Sequence, residues 1–317
     1  MKKFLLPLLL AALPLSSFAA SGTAIPGGNQ STPFVIDKPG SYYLAGNRTM
    51  TNTEVWGAIQ ITTDNVTLDL NGFSLGFSGT TTQGISGHAI SVMGDNVEIR
   101  NGVIHTAPGD AIHSEAYYLR MIDLRVLNTH GISADGRSAL AERCHVSETH
   151  GDAIRVGNSS TVRDCVVMGA TKKGSLYGRG IWAGSDAIIT GCSVSFTDST
   201  GIVCYGGGVL VENCRVADAN WKESDYDAGI VTYDGSATIR RCLVTRASGT
   251  GIRIGALSVG TVLEDNVVKR TQTAAPAAGY GIVCLNSSTI LQNNKGVANA
   301  GGFIAGQYVN AGGNLGN

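Results

Sequence analysis

An internal repeat restricts the fold of this chain more than any other feature. A small residue followed by Ile recurs at Ala58-Ile59, Ala89-Ile90, Ala111-Ile112, Gly131-Ile132, Ala153-Ile154, Gly180-Ile181, Gly201-Ile202, Gly229-Ile230, Gly251-Ile252 and Gly281-Ile282. Gly302-Phe303 closes the series. The steps are 31, 22, 20, 22, 27, 21, 28, 22, 30 and 21 residues. Self-similarity at such a period marks units that cannot bury an apolar face alone and must stack on their neighbours.

A second series runs in step with the first: Asn71, Asn101, Leu124, Cys144, Cys165, Cys192, Cys214, Cys242, Asn266 and Asn293. An alternating segment such as Thr161-Val162-Arg163-Asp164 lies between the two anchors, and another such as Val166-Val167 follows the second. Alternation with period two signals strands, and helical periodicity is missing from every unit. Three short strands per unit predict an all-β fold, a single-stranded parallel β-helix of about eleven coils. The composition fits it. There are 43 glycines in 317 residues and only 15% charged residues. That suits many tight turns around a long apolar interior. A net charge of −1 gives no footprint for nucleic acid.

Residues 1–20 read as a secretory signal. Lys2 and Lys3 precede an apolar run, Phe4 to Leu15, and Ser17-Phe18-Ala19 offers small residues for cleavage. Residues 21–57 are expected to cap the solenoid, and residues 58–317 to form its coils with a glycine-rich closing segment. No later stretch is long and apolar enough to span a membrane. The expectation is a secreted monomer, periplasmic or extracellular.

The segment Phe34-Val35-Ile36, then Gly40-Ser41-Tyr42-Tyr43-Leu44, then Asn65-Val66-Thr67-Leu68-Asp69-Leu70-Asn71-Gly72-Phe73 resembles the opening of secreted β-helix proteins of the pectate-lyase-like superfamily. The resemblance extends over the later coils. It implies the right-handed fold and a polysaccharide or cell-surface glycan as partner. It also implies that the second anchor column is an inward ladder at a turn, with Asn at both ends and Cys in the middle. The seven cysteines are expected to be buried thiols, because in-register side chains run parallel and do not converge. Cys204 and Cys284, two residues after their Ile, should also point inward. No paired C-x-x-C spacing suggests a metal, and no metal ligands are assigned. No cofactor is expected; calcium is the one candidate, without a signature.

Residues one and three after each Ile should face outward. In the middle coils they are His113 and Glu115, Ser133 and Asp135, Arg155, Trp182, Tyr205, Tyr233 and Arg253. The turn residue two before each Ile runs His88, Asp110, His130, Asp152, Arg179. Catalytic candidates are therefore His130, His113, Asp110, Asp152, Arg155 and Arg179. Histidine would act as a base at a uronate and arginine would neutralise its carboxylate. Asp110 and Asp152, two rungs apart, also come near the spacing of an inverting hydrolase. The three long units place insertions beside this strip, and Lys172, Trp221 and Tyr226 there join Glu115, Asp135, Trp182, Tyr205, Tyr233 and Arg253 as candidate substrate-binding residues. The paired aspartates, G-H-G and R-I-K of polygalacturonases are missing; Arg253-Ile254-Gly255 has glycine in place of the lysine. The functional expectation is binding of an extended acidic polysaccharide, with lyase, epimerase or inverting hydrolase chemistry as one branch. The other branch is a non-catalytic glycan-binding, adhesion or envelope solenoid.

Overall fold

A computed structural model describes residues 22–78, 87–174, 176–220, 228–272 and 279–316. Every strand pairing is parallel, and no helix occurs among the described residues. The first strands of the coils form a sheet of twelve, from Phe34–Ile36 to Ile304–Gly306. The second and third strands form one sheet of 23, because Val97–His105 and Arg120–Leu127 each run through the turn between the two positions. The expected three strands per coil are present. The segment 23–50 already carries strands in this parallel register, with Phe34 opposite Ile59. The signal residues 1–20 lie outside the described residues.

Three aliphatic columns fill the interior. Ile59, Ile90, Ile112, Ile132 and Ile154 stack from rung to rung on the first strands, all buried. Ile99, Met121, Ala141, Val162 and Ile189 do so on the second. Val126, Val146, Val167, Val194, Val216 and Val244 do so on the third. Each fully buried Ile or Val contributes on the order of 1.5–3 kcal/mol relative to exposure. The third column ends at Gly296, whose missing side chain leaves room for the Phe303 ring. The register pairs Ile304, not Phe303, with Ile282. The last anchor is thus one residue later than the repeat implies, and Phe303 closes the core.

The turns differ from expectation in a second respect. Left-handed residues recur once per coil between second and third strands: Asn71, Asn101, Asp123, Arg143, Asp164, Gly191, Asn213, Arg241, Asp265 and Asn293. Asn and Asp tolerate this conformation because their side chains bond locally. Asn71, Asn101 and Asn293 are therefore exposed turn residues and not part of the inward ladder. The buried column one residue further on is Leu124, Cys144, Cys165, Cys192, Cys214, Cys242, Asn266 and Asn294.

On the outer face of the second strands, acids and arginines alternate across rungs. Glu98 meets Arg100 and Arg120, Glu142 meets Arg143 and Arg163, and Glu212 meets Arg240 and Arg241. Such pairs avoid the like-charge stack that in-register parallel strands would otherwise impose.

Candidate functional site

Alternation on the first strands places residue +1 and residue +3 after each Ile outside the barrel, and residue +2 inside. The burial follows: Ser114, Ala134, Val156, Ala183 and Cys204 at +2 are buried, while Glu115 and Tyr205 at +3 are exposed. At +1, register stacks Gln60, Ser91, His113, Ser133, Arg155, Trp182, Val203, Val231 and Arg253 into one column. Three members, Ser91, Val203 and Val231, are buried although they face outward, and the two valines are the apolar ones. They form a small apolar cluster with Ala228, against which Trp182 and Tyr233 pack.

The candidates fall into three groups. In the first, His113 Nδ1 lies 3.0 Å from Asp110 Oδ2, three residues earlier in the turn. The imidazole of His88 stacks on that of His113, with centroids 4.3 Å apart and planes at 8°. The Asp110 backbone N–H donates to His88 Nδ1 at 3.1 Å, which puts the neutral-ring proton of His88 on Nε2. Trp56 stands edge-on to both rings, at 5.5 and 6.0 Å. Burial pushes His88 down to about 4, against the opposing pull of Asp110. The hydrogen bond that His113 donates to the Asp110 carboxylate raises His113. Burial also lowers His130, helped by Lys173 and His150 and opposed by Asp110. A groove of about 430 Å³ opens beside His113, lined by Trp56, Ser91, Met93, Glu115 and Tyr117.

The second group lies two rungs along. Arg155 Nε donates to Asp135 Oδ1 at 2.6 Å, and Ser133 Oγ donates to Asp135 Oδ2 at 2.9 Å. The Arg155 guanidinium sits 4.8 Å over the Trp182 ring, and Trp182 stacks on Tyr205 at 5.6 Å with planes at 27°. Tyr205 is half exposed, so the aromatic platform faces solvent. The two terminal nitrogens of Arg155 meet no acceptor among the described residues.

The third group is self-contained. Arg179 donates to both oxygens of Asp152, from Nε at 2.8 Å and from a terminal nitrogen at 2.6 Å. Both side chains are nearly covered, at 13% and 11% exposure. Tyr177 lies 4.4 Å under the Arg179 guanidinium. This pair fills the turn and leaves neither charge open to a ligand. Asp110 and Asp152, considered together as a hydrolytic pair, are each engaged by cationic or imidazole partners. Lys172 is exposed on its insertion, where its backbone N–H donates to Asp198. Glu115 is exposed on the groove wall, and Tyr233 and Arg253 lie further along the strip. Trp221 and Tyr226 lie outside the described residues.

Three residues of the first group escaped the sequence reading as site residues: His88, Trp56 and Ser91. His88 occupies the same turn column as Asp110 and was visible there. Trp56 precedes Gly57, which pairs with His88 in register, so the alignment of coils carries its signal. Nothing in the local sequence marks Ser91.

No helix among the described residues is long and apolar enough to cross a membrane. Comparison with curated proteins finds no match. Among solved structures, the chain is similar to a pectate lyase at 12% identity, covering 86% of this chain and 70% of that one, with a TM-score of 0.52. It is also similar to the A-module of a mannuronan C-5 epimerase from Azotobacter vinelandii, at 12% identity over 86% and 91% of the two chains, TM-score 0.52. The Dettilon tailspike protein gives 13% identity over 92% and 60%, TM-score 0.55. The family model for the right-handed beta helix region matches residues 43–183 and 177–314. The parallel register, the three interior columns and this match agree: the chain belongs to the right-handed β-helix family.

Proposed function

We propose that the outer face of the first strands binds an extended acidic polysaccharide, centred on Arg155, Trp182 and Tyr205. One observation carries this reading. Asp135 holds Arg155 by Nε over the indole face, which leaves its terminal fork directed at a ligand beside a solvent-facing aromatic platform. Sugar rings stack on aromatic faces, and a guanidinium fork matches a carboxylate. The apolar bed of Val203 and Val231 fixes the platform from below. The names of the pectate lyase and the mannuronan epimerase are those of enzymes acting on polysaccharides, in keeping with this choice of ligand. The chain acts as a monomer outside the cytoplasm after loss of residues 1–20.

The His113–Asp110 pair favours a second reading, proton abstraction at a uronate. Asp110 orients His113, which is the arrangement a general base requires. Arg155 would neutralise the carboxylate, but it lies two rungs away, roughly 10 Å at the backbone. To reach the same sugar unit as His113 it must leave Asp135. Binding alone requires no such rearrangement and is therefore the reading adopted here.

Calorimetric titration with oligouronates tests it. Trp182→Ala and Arg155→Ala should each weaken binding about tenfold or more, which is about 1.4 kcal/mol. Unchanged affinity in both variants would overturn the site. Appearance of an ultraviolet-absorbing unsaturated product, lost in His113→Ala, would establish the second reading instead.

A further inference from the structure

The geometry points to a divalent transition-metal site formed by His88, Asp110 and His113 at the end of the groove. The three ligand atoms lie within 4.8 Å of one another. Asp110 Oδ2 is 3.0 Å from His113 Nδ1 and 3.5 Å from His88 Nδ1. Donors held at about 2.0–2.1 Å around a tetrahedral ion are roughly 3.3 Å apart, so both separations already match the edges of such a set. Two imidazoles and one carboxylate suit zinc and its neighbours. They do not suit calcium, which takes six to eight oxygens.

A second, independent observation lies in the groove wall. Ser91 is only 1% exposed, its hydroxyl has no hydrogen-bond partner, and it stacks directly under His113 in register. A buried hydroxyl without a partner costs on the order of 1–3 kcal/mol. A water on the open fourth position of the ion would give that hydroxyl a partner, and the groove gives the water access. At His113 the ion takes the Nδ1 position now bonded to Asp110, and the neutral ring carries its one proton on Nε2. His88 Nδ1 exchanges its bond from the Asp110 N–H for the ion.

The site stands on this cluster alone and does not depend on glycan binding. Titration of the chelator-stripped full chain with zinc chloride, followed by calorimetry and thermal unfolding, tests it. One equivalent should bind and raise the unfolding midpoint. His113→Gln and Asp110→Asn should each weaken binding at least tenfold. His113 stands on the outer face of the first strands, so its variant keeps the core intact, and circular dichroism checks this. His145→Ala, on an exposed position of another face, should bind as the parent does. Cobalt chloride should give the visible bands of a four-coordinate ion in the parent and in His145→Ala but not in the two cluster variants. No stoichiometric binding, or binding that both cluster substitutions leave unchanged, would overturn the site.

Discussion

Cysteine and asparagine perform one task in the second-turn column, and they differ in strength. Asn266 Nδ2 donates to Ile239 O of the preceding rung at 2.8 Å, and its Oδ1 accepts from Cys242 N at 3.0 Å. Asn294 repeats the pattern with Leu263 O and Asn266 N. One rung earlier, Cys242 Sγ approaches Val211 O at 3.7 Å and Arg240 O at 3.3 Å. The thiol is the weaker donor in the same place. All seven cysteines are free and buried. Hydrogen bonding with Cys165 and burial raise Cys144 well above the ordinary thiol value; burial, helped by neighbouring Cys214, pushes Cys204 up to about 12, and burial alone does the same to Cys284. Because all seven thiols are buried, the native protein should resist alkylation at neutral pH, whereas the denatured protein should take up seven labels; mass spectrometry reads both. Labelling of the native column, or a mass deficit from disulfides, would contradict this assignment. The sequence made the inward direction of Cys204 and Cys284 legible because strand alternation has a fixed period. It misplaced Asn71, Asn101 and Asn293 by one residue. The ladder position and the left-handed turn position are adjacent, and asparagine suits both.

His88 makes a second prediction at the level of one side chain. Its value is 6.5 when unfolded and about 4 when folded. Between these limits the unfolded chain binds a proton that the folded chain refuses. The contribution is fully present above pH 6.5 and is lost as pH falls toward 4. His113 has the opposite sign: its raised value adds stability at low pH that fades as pH rises through the folded value. The larger displacement belongs to His88. The fall in unfolding midpoint between pH 7 and pH 4.5, read by calorimetry, should be shallower in His88→Gln than in the parent.

Glycine serves the strands by its volume more than by its backbone freedom. A Cβ on Gly229 would overlap Val244 Cγ1 and lie 2.7 Å from Gly251 O, with an ordinary φ at that position. Gly201 and Gly251 meet Val216 and Val268 in the same way. The residue before each later Ile is thus small because the third-strand valine of the coil lies against it. Gly229→Ala should destabilise the protein by about 1–3 kcal/mol through overpacking. Gly46→Ala, where the nearest atom is 3.9 Å away and φ is unexceptional, should stay within about 0.5 kcal/mol. Urea unfolding of the two variants decides between a packing role and a turn role. The repeat pattern made these small residues visible but not their purpose, because the valine they accommodate lies in another strand. Glycine holds many of the left-handed turn positions, but residues other than glycine, Asn and Asp foremost, hold more of them among the described residues.

A solenoid touches itself only between neighbouring rungs, so its stability is close to a sum of similar interfaces and its surface is a linear array. The period of the sequence therefore revealed the fold, and strand alternation revealed which face would be continuous. What stayed hidden was pairing. Asp152 with Arg179, and Asp135 with Arg155, are 27 and 20 residues apart, and which of two neighbouring rungs a long side chain chooses depends on turn geometry that no repeat encodes. One pair closes a turn and the other presents a guanidinium to solvent. That difference turns a list of charged candidates into a strip with a centre.

A linear array should recognise a linear ligand. The most direct measurement is the affinity of the parent and of Trp182→Ala for oligouronates of increasing length. Binding should tighten with length while added units still meet the strip, and Trp182→Ala should weaken it about tenfold or more for the longer chains. Affinity independent of both length and Trp182 would contradict the assignment of this face as a polysaccharide-binding surface.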